Sequence, residues 1–178
     1  MNAELPESVD IIRRFLAEPN LEAKFNFLRA HPYLLSPDAL RVFGHLRDAF
    51  AENDDADYAE TVTQHRMLVE RAQEVGLTQA LDEARFLLRL ERVKEFIGAP
   101  SWMDSYVYLE KHPELTFPAV QDVMIVLEEQ ARRRGDEEQA KIINVHAYLL
   151  YLVQTIGADA AFAQIGGMDF LNSTYPDD

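Results

Sequence analysis

Residues 15 to 80 are written a second time, without a gap, 81 residues further along the chain. In this register sixteen positions are identical, among them Phe15/Phe96, Pro19/Pro100, Leu28/Leu109, His31/His112, Pro32/Pro113, Leu34/Leu115, Pro37/Pro118, Val42/Val123, Asp55/Asp136, His65/His146, Gly76/Gly157 and Ala80/Ala161. Two unrelated stretches of that length and average composition would share roughly four. Similar residues fill the gaps, as at Leu21/Trp102, Phe25/Tyr106, Phe27/Tyr108 and Val62/Ile143. Agreement concentrates at apolar and turn positions, the pattern of a repeated fold whose surface has drifted. The chain is therefore expected to hold two helical units, residues 1–81 and 82–166, sharing one core, with an irregular tail at 167–178.

Within each unit the apolar residues recur at helical spacing, as in Val42, Leu46, Ala49 and Phe50, or Val62, His65, Leu68, Val69, Ala72 and Val75. No stretch alternates long enough to make a strand. Pro19-Asn20 and Pro100-Ser101 each stop one helix and offer a cap for the next, and Ser101 with Asp104 has capping-box spacing. Ser36-Pro37 sets a cap residue before a proline in the first turn, while Gly76 and Gly157 end periodic runs. The spacing predicts helices at about 8–17, 20–31, 37–52 and 56–75, a joining helix at 78–98, then 101–112, 118–134, 137–156 and 159–165.

Composition closes off several classes of function. Hydrophobic residues are 48% and charged residues 27% of the 178, a globular balance. With no Cys, disulfides, thiolate metal sites and a cysteine nucleophile are excluded. No secretory leader pattern and no apolar run of about 18 residues is present, so a cytoplasmic protein is expected. A formal net charge of -14 repels phosphate polyanions and anionic lipid, which argues against nucleic acid and membrane and leaves a basic protein partner open.

Candidate chemistry is thin. His31 and His112 precede Pro at helix ends, where they can meet the last carbonyls, and His65 and His146 fall on an apolar helix face as core histidines. No His pair has i, i+4 zinc spacing, and the acidic group Glu52, Asp54, Asp55 and Asp57 lacks the order of a calcium loop; it reads as carboxylates at a helix N-terminus. Gly166-Gly167 follows a helix and not a strand, unlike a phosphate loop. No metal, cofactor or catalytic residue is expected.

The stretches Phe-Leu-Arg-Ala-His-Pro-Tyr-Leu-Leu-Ser-Pro-Asp-Ala-Leu (27–40) and Tyr-Leu-Glu-Lys-His-Pro-Glu-Leu-Thr-Phe-Pro (108–118) resemble the tetratricopeptide-like helical repeats of bacterial proteins. Such segments often accompany caspase-like CHAT peptidase domains, and the likeness continues through 64–68 and 74–76. It rests on packing and turn residues, without an active-site signature. The resemblance implies an all-α, TPR-like array of helical hairpins that binds other proteins, an adaptor without catalysis. The alternative is a regulatory or sensor subunit of a separately encoded effector such as a caspase-like peptidase.

The differences between the units point to where binding would occur. Gly44, His45, Gln64, Arg66, Glu70 and Arg71 become Ile125, Val126, Val145, Ala147, Tyr151 and Leu152. Helix 137–156 is thus apolar nearly all round, which a surface helix cannot be. Cover comes either from within the chain or from a partner, a second copy included. The candidate face comprises Ile125, Val126, Tyr148, Tyr151 and Leu152, with a further contribution from Trp102, Tyr106 and Tyr108, whose helical spacing also suits a core stripe.

Overall fold

A computed structural model describes residues 4–166, and every described residue outside turns is helical. The tail expected at 167–178 lies outside the described residues. In chain order the helices are α1 (Glu4–Leu16), α2 (Leu21–Ala30), α3 (Pro37–Glu52), α4 (Ala56–Val75), α5 (Leu77–Ile97), α6 (Trp102–Lys111), α7 (Ala119–Arg133), α8 (Glu137–Ile156) and α9 (Ala158–Gly166). Short 3-10 turns at Pro32–Leu35 and Pro113–Thr116 lead into α3 and α7. The chain divides into two compact units between Arg85 and Phe86, inside α5, at 85 where the repeat places the boundary at 81.

Each break has a local cause. Asn20 Oδ1 accepts from the Ala23 N–H at 2.9 Å, and Ser36 Oγ from the Ala39 N–H at 3.2 Å, with Pro37 opening α3. Ser101 Oγ accepts from the Asp104 N–H at 3.1 Å and donates to the Asp104 carboxylate at 2.6 Å. That closes the expected box through the hydroxyl and leaves the cap backbone N–H out of it. Asp55 and Asp136 cap α4 and α8 by accepting from the Tyr58 and Gln139 N–H groups. Just ahead of them Asp54 and Gly135 both turn left-handed, with φ of 57° and 76°. The Asp55 and Asp136 N–H groups then reach back to the Phe50 and Ala131 carbonyls, each at 3.0 Å, the six-to-one bond of a Schellman turn.

In the first unit α3 and α4 pack as an antiparallel pair, with α1 against α2, α3 and α4. The core is Ile12, Phe15, Phe25, Phe27, Leu28, Leu34, Val42, Phe43, Val62, Val69, Ala72, Ala80 and Leu81. In the second unit α7 pairs with α8, and α9 packs on α8 and α6. Its core includes Val93, Phe96, Leu109, Leu115, Val123, Met124, Ile143, Leu150, Val153 and Ala161, each 81 residues beyond a core residue of the first unit. Three buried residues of the first unit, Phe25, Phe27 and Leu81, have half-buried counterparts in Tyr106, Tyr108 and Phe162. The two added hydroxyls each find an acceptor: Tyr106 donates to Asp159 at 2.5 Å and Tyr108 to Glu95.

Candidate functional site

Arg66 marks the place on the first unit that matters most for comparison. Its Nε donates to Glu70 at 2.9 Å, one turn away on α4, and its guanidinium stands 3.6 Å from where a side chain on Gly44 of α3 would begin. The flank of the α3–α4 pair therefore ends in a polar ion pair over a glycine. In the second unit the same three positions are Ala147, Tyr151 and Ile125. Ile125 is 62% exposed, Tyr151 56% and Tyr148 46%, and the two tyrosine rings stack with centroids 6.4 Å apart. Val126 beside them is half-buried. Gln121 ties the two helices on this side, donating from Nε2 to the Ala147 carbonyl at 3.4 Å.

Leu152 does not belong to this face. It is 7% exposed and packs in the core of the second unit, although its counterpart Arg71 is a surface residue holding Glu74 at 3.0 Å and Glu83 at 2.6 Å. Those bonds from Arg71 and Gln79 lower Glu83 to about 2. An aliphatic side chain at that place gains nothing from water and turns inward. Of the other apolar replacements on α8, Val145 is likewise buried within the unit and Ala147 is half-buried.

The α6 aromatics serve packing and latching within the unit. Trp102 is half-buried with its ring centroid 4.9 Å from that of His146. Tyr106 meets the edge of Phe162 at 5.1 Å, and the bond to Asp159 holds its hydroxyl protonated, its pKa pushed up to about 12. Tyr108 lies 4.3 Å from the His112 ring. The aromatic stripe is thus used inside the unit, and the exposed candidate face narrows to Ile125, Val126, Tyr148 and Tyr151.

The histidines take structural places. His65 and His146 donate from Nδ1 to the carbonyls one turn back, Thr61 at 2.7 Å and Ile142 at 2.9 Å, and set the ring edge-on to Phe15 and Phe96. Burial pushes both below the ordinary histidine range; Thr61 partly offsets this at His65, which Lys24 lowers further, and Ile142 partly offsets it at His146. His31 reaches the Phe27 carbonyl at 3.0 Å, as its place at a helix end suggests. His112 departs from that pattern, donating from Nδ1 to Glu114 at 3.2 Å and accepting from Arg92 at 3.1 Å. Among the described residues no group of three or more His, Asp or Glu is arranged to hold a metal ion, and no helix is long and apolar enough to cross a membrane.

Further exposed apolar residues stand where the first unit is polar or small. Met103 (69% exposed) and Val107 lie one turn apart on α6 where the first unit has Glu22 and Asn26, and Phe117 stands where Ser36 caps α3. Glu22 is ion-paired to Arg85 at 2.6 Å; Met103 has no such use. The position-by-position comparison that singled out Tyr151 carries the same signal for these three. No protein-family model, curated protein or solved structure matches the chain.

Proposed function

We propose that the protein is a non-catalytic protein-recognition module, a TPR-like array of two copies of one helical unit, in which the second copy carries the partner face. The duplication is supported by helices, caps and core residues that recur at an offset of 81. The observation that carries the function is the exchange of a half-buried ion pair, Arg66–Glu70 over Gly44, for exposed Tyr151 and Ile125 at the same places. Two exposed tyrosines beside aliphatic residues, where the sister surface has an ion pair and a single exposed Met67, are the composition of a binding hot spot. The net charge of -14 suits a basic partner and speeds its encounter.

Affinity capture from the native host with wild-type and Tyr151→Glu baits tests this reading. A protein held by the wild type and lost from Tyr151→Glu supports it; identical captures by both baits overturn it. One stoichiometric effector enzyme among the captured proteins makes the module a regulatory subunit, whereas several unrelated clients make it an adaptor. Light scattering covers the self-association case, in which the wild type is a dimer and Tyr151→Glu a monomer.

A further inference from the structure

The end of the second unit where α5 gives way to α6, and α7 to α8, holds an open groove of about 910 Å³. Its floor is aliphatic, with Ile97 and Ile143 buried and Leu127 and Ile142 half-buried. Arg134 stands on its rim with Lys94, and among the described residues Arg134 makes no ion pair, whereas Lys94 is held by Glu91 at 3.0 Å. The rim also carries one acid, Asp136, whose carboxylate is already committed to the Gln139 N–H as the cap of α8.

The first unit shows what this corner ordinarily contains. There Phe50 and Tyr58 pack together with ring centroids 4.3 Å apart. The residues 81 further on are Ala131, buried beneath the surface, and Gln139, which lines the groove; the Tyr58 ring is thus gone from this corner, while Leu46/Leu127 and Val62/Ile143 stay aliphatic and Thr61 becomes Ile142. The rim has changed in charge as well. Arg13, Glu18, Asn53 and Asp55 correspond to Lys94, Ala99, Arg134 and Asp136, one acid fewer and one cation more in a chain that is otherwise strongly acidic. An aliphatic groove that has lost the tyrosine at its edge and gained a guanidinium there selects an aromatic group carried next to an anion, since arginine pairs with a carboxylate through two parallel hydrogen bonds.

We propose that this groove docks a short segment of a partner protein in which an aromatic side chain stands beside a carboxylate, the ring lying on the aliphatic floor beside Gln139, where the first unit has Tyr58, and the carboxylate meeting Arg134. The proposal is independent of the Ile125–Tyr151 face, none of whose residues line the groove. Gln139→Tyr restores the missing ring from within the chain, and Arg134→Gln removes the guanidinium; the first position is half-buried and the second exposed.

The test is a titration of the full isotope-labelled chain with the peptide acetyl-Ser-Asp-Phe-Leu-Ser-amide, followed by amide chemical shifts. Saturable shifts confined to Ala99, Arg134, Gln139 and their neighbours are expected. Affinity is expected to weaken roughly tenfold or more when Asn replaces Asp or Ala replaces Phe in the peptide, and likewise in Arg134→Gln and Gln139→Tyr. The proposal is overturned if those amides do not move at millimolar peptide, if Gln139→Tyr binds as the wild type does, or if a peptide with Lys in place of Asp binds equally well. Tyr151→Glu serves as the control that leaves this titration unchanged, so failure here is separable from failure of the α7–α8 face.

Discussion

His146 is the residue on which burial and chemistry meet most sharply. It is 1% exposed, its Nδ1–H is satisfied by the Ile142 carbonyl, and its Nε2 is buried without a hydrogen-bond partner. Protonating Nε2 would place a charge among Phe96, Trp102 and aliphatic side chains, which is why its pKa falls below the ordinary value. In the unfolded chain the imidazole titrates near 6.5. The unfolded state therefore takes up a proton first as pH drops, and stability that is complete above about pH 6.5 is lost below it. Urea unfolding at pH 7.5 and 5.5 should show that loss, at up to about 1.4 kcal/mol per pH unit where the slope is steepest. His146→Gln, which keeps a donor for Ile142, should flatten the dependence, leaving the share of His65; an unchanged slope would place the titration elsewhere. That this histidine belongs to the core is legible from its neighbours in the repeat, Val62, Leu68 and Val69. Its empty Nε2 is not, because that depends on the Trp102 ring folded over it from another helix.

Gly76 and Gly157 show how much of the element structure rests on single residues. Both follow a twenty-residue helix, with φ and ψ of 86° and 157° in one and 84° and 161° in the other, and a new helix begins at the next residue. That backbone region is open essentially to glycine alone. Beyond the adjoining residues, no atom lies within 4 Å of where a side chain would start, so the cost of adding one is all backbone. Gly76→Ala and Gly157→Ala should each destabilise by about 1–3 kcal/mol in chemical denaturation, and a neutral result at either would mean that its corner can be turned in another way. Stops of this kind were readable in advance, as were the caps at Asn20, Ser36 and Ser101, because each acts within three or four residues of itself. The two 3-10 turns were not, since four residues carry no periodicity to detect. The start of α1 at Glu4, ahead of the expected 8, passes Pro6, which the first helical turn tolerates because its missing N–H has no helical acceptor there.

At the scale of the whole molecule, an offset of 81 carries helix order, caps and most core positions, and the departures from it carry the functional proposals. A substitution table shows which surface positions turned apolar; it does not show whether a neighbour covers them. Leu152 and Tyr151 are adjacent replacements of charged residues, yet one packs in the core and the other stands 56% exposed. The central claim is that recognition belongs to the α7–α8 flank and not to its α3–α4 counterpart. A reciprocal exchange tests it with the captured partner, or with dimerisation if that partner is a second copy. Ile125→Gly and Ala147→Arg with Tyr151→Glu give the second unit the pair that Arg66 and Glu70 make over Gly44 in the first, and Arg66→Ala with Glu70→Tyr removes that pair from the first. Calorimetric titration should show at least roughly a hundredfold loss of affinity for the second-unit exchange, in keeping with the ~2 kcal/mol or more of a hot-spot residue, and no loss for the first. Equal binding by the wild type and the second-unit exchange, with both folded, would contradict the account.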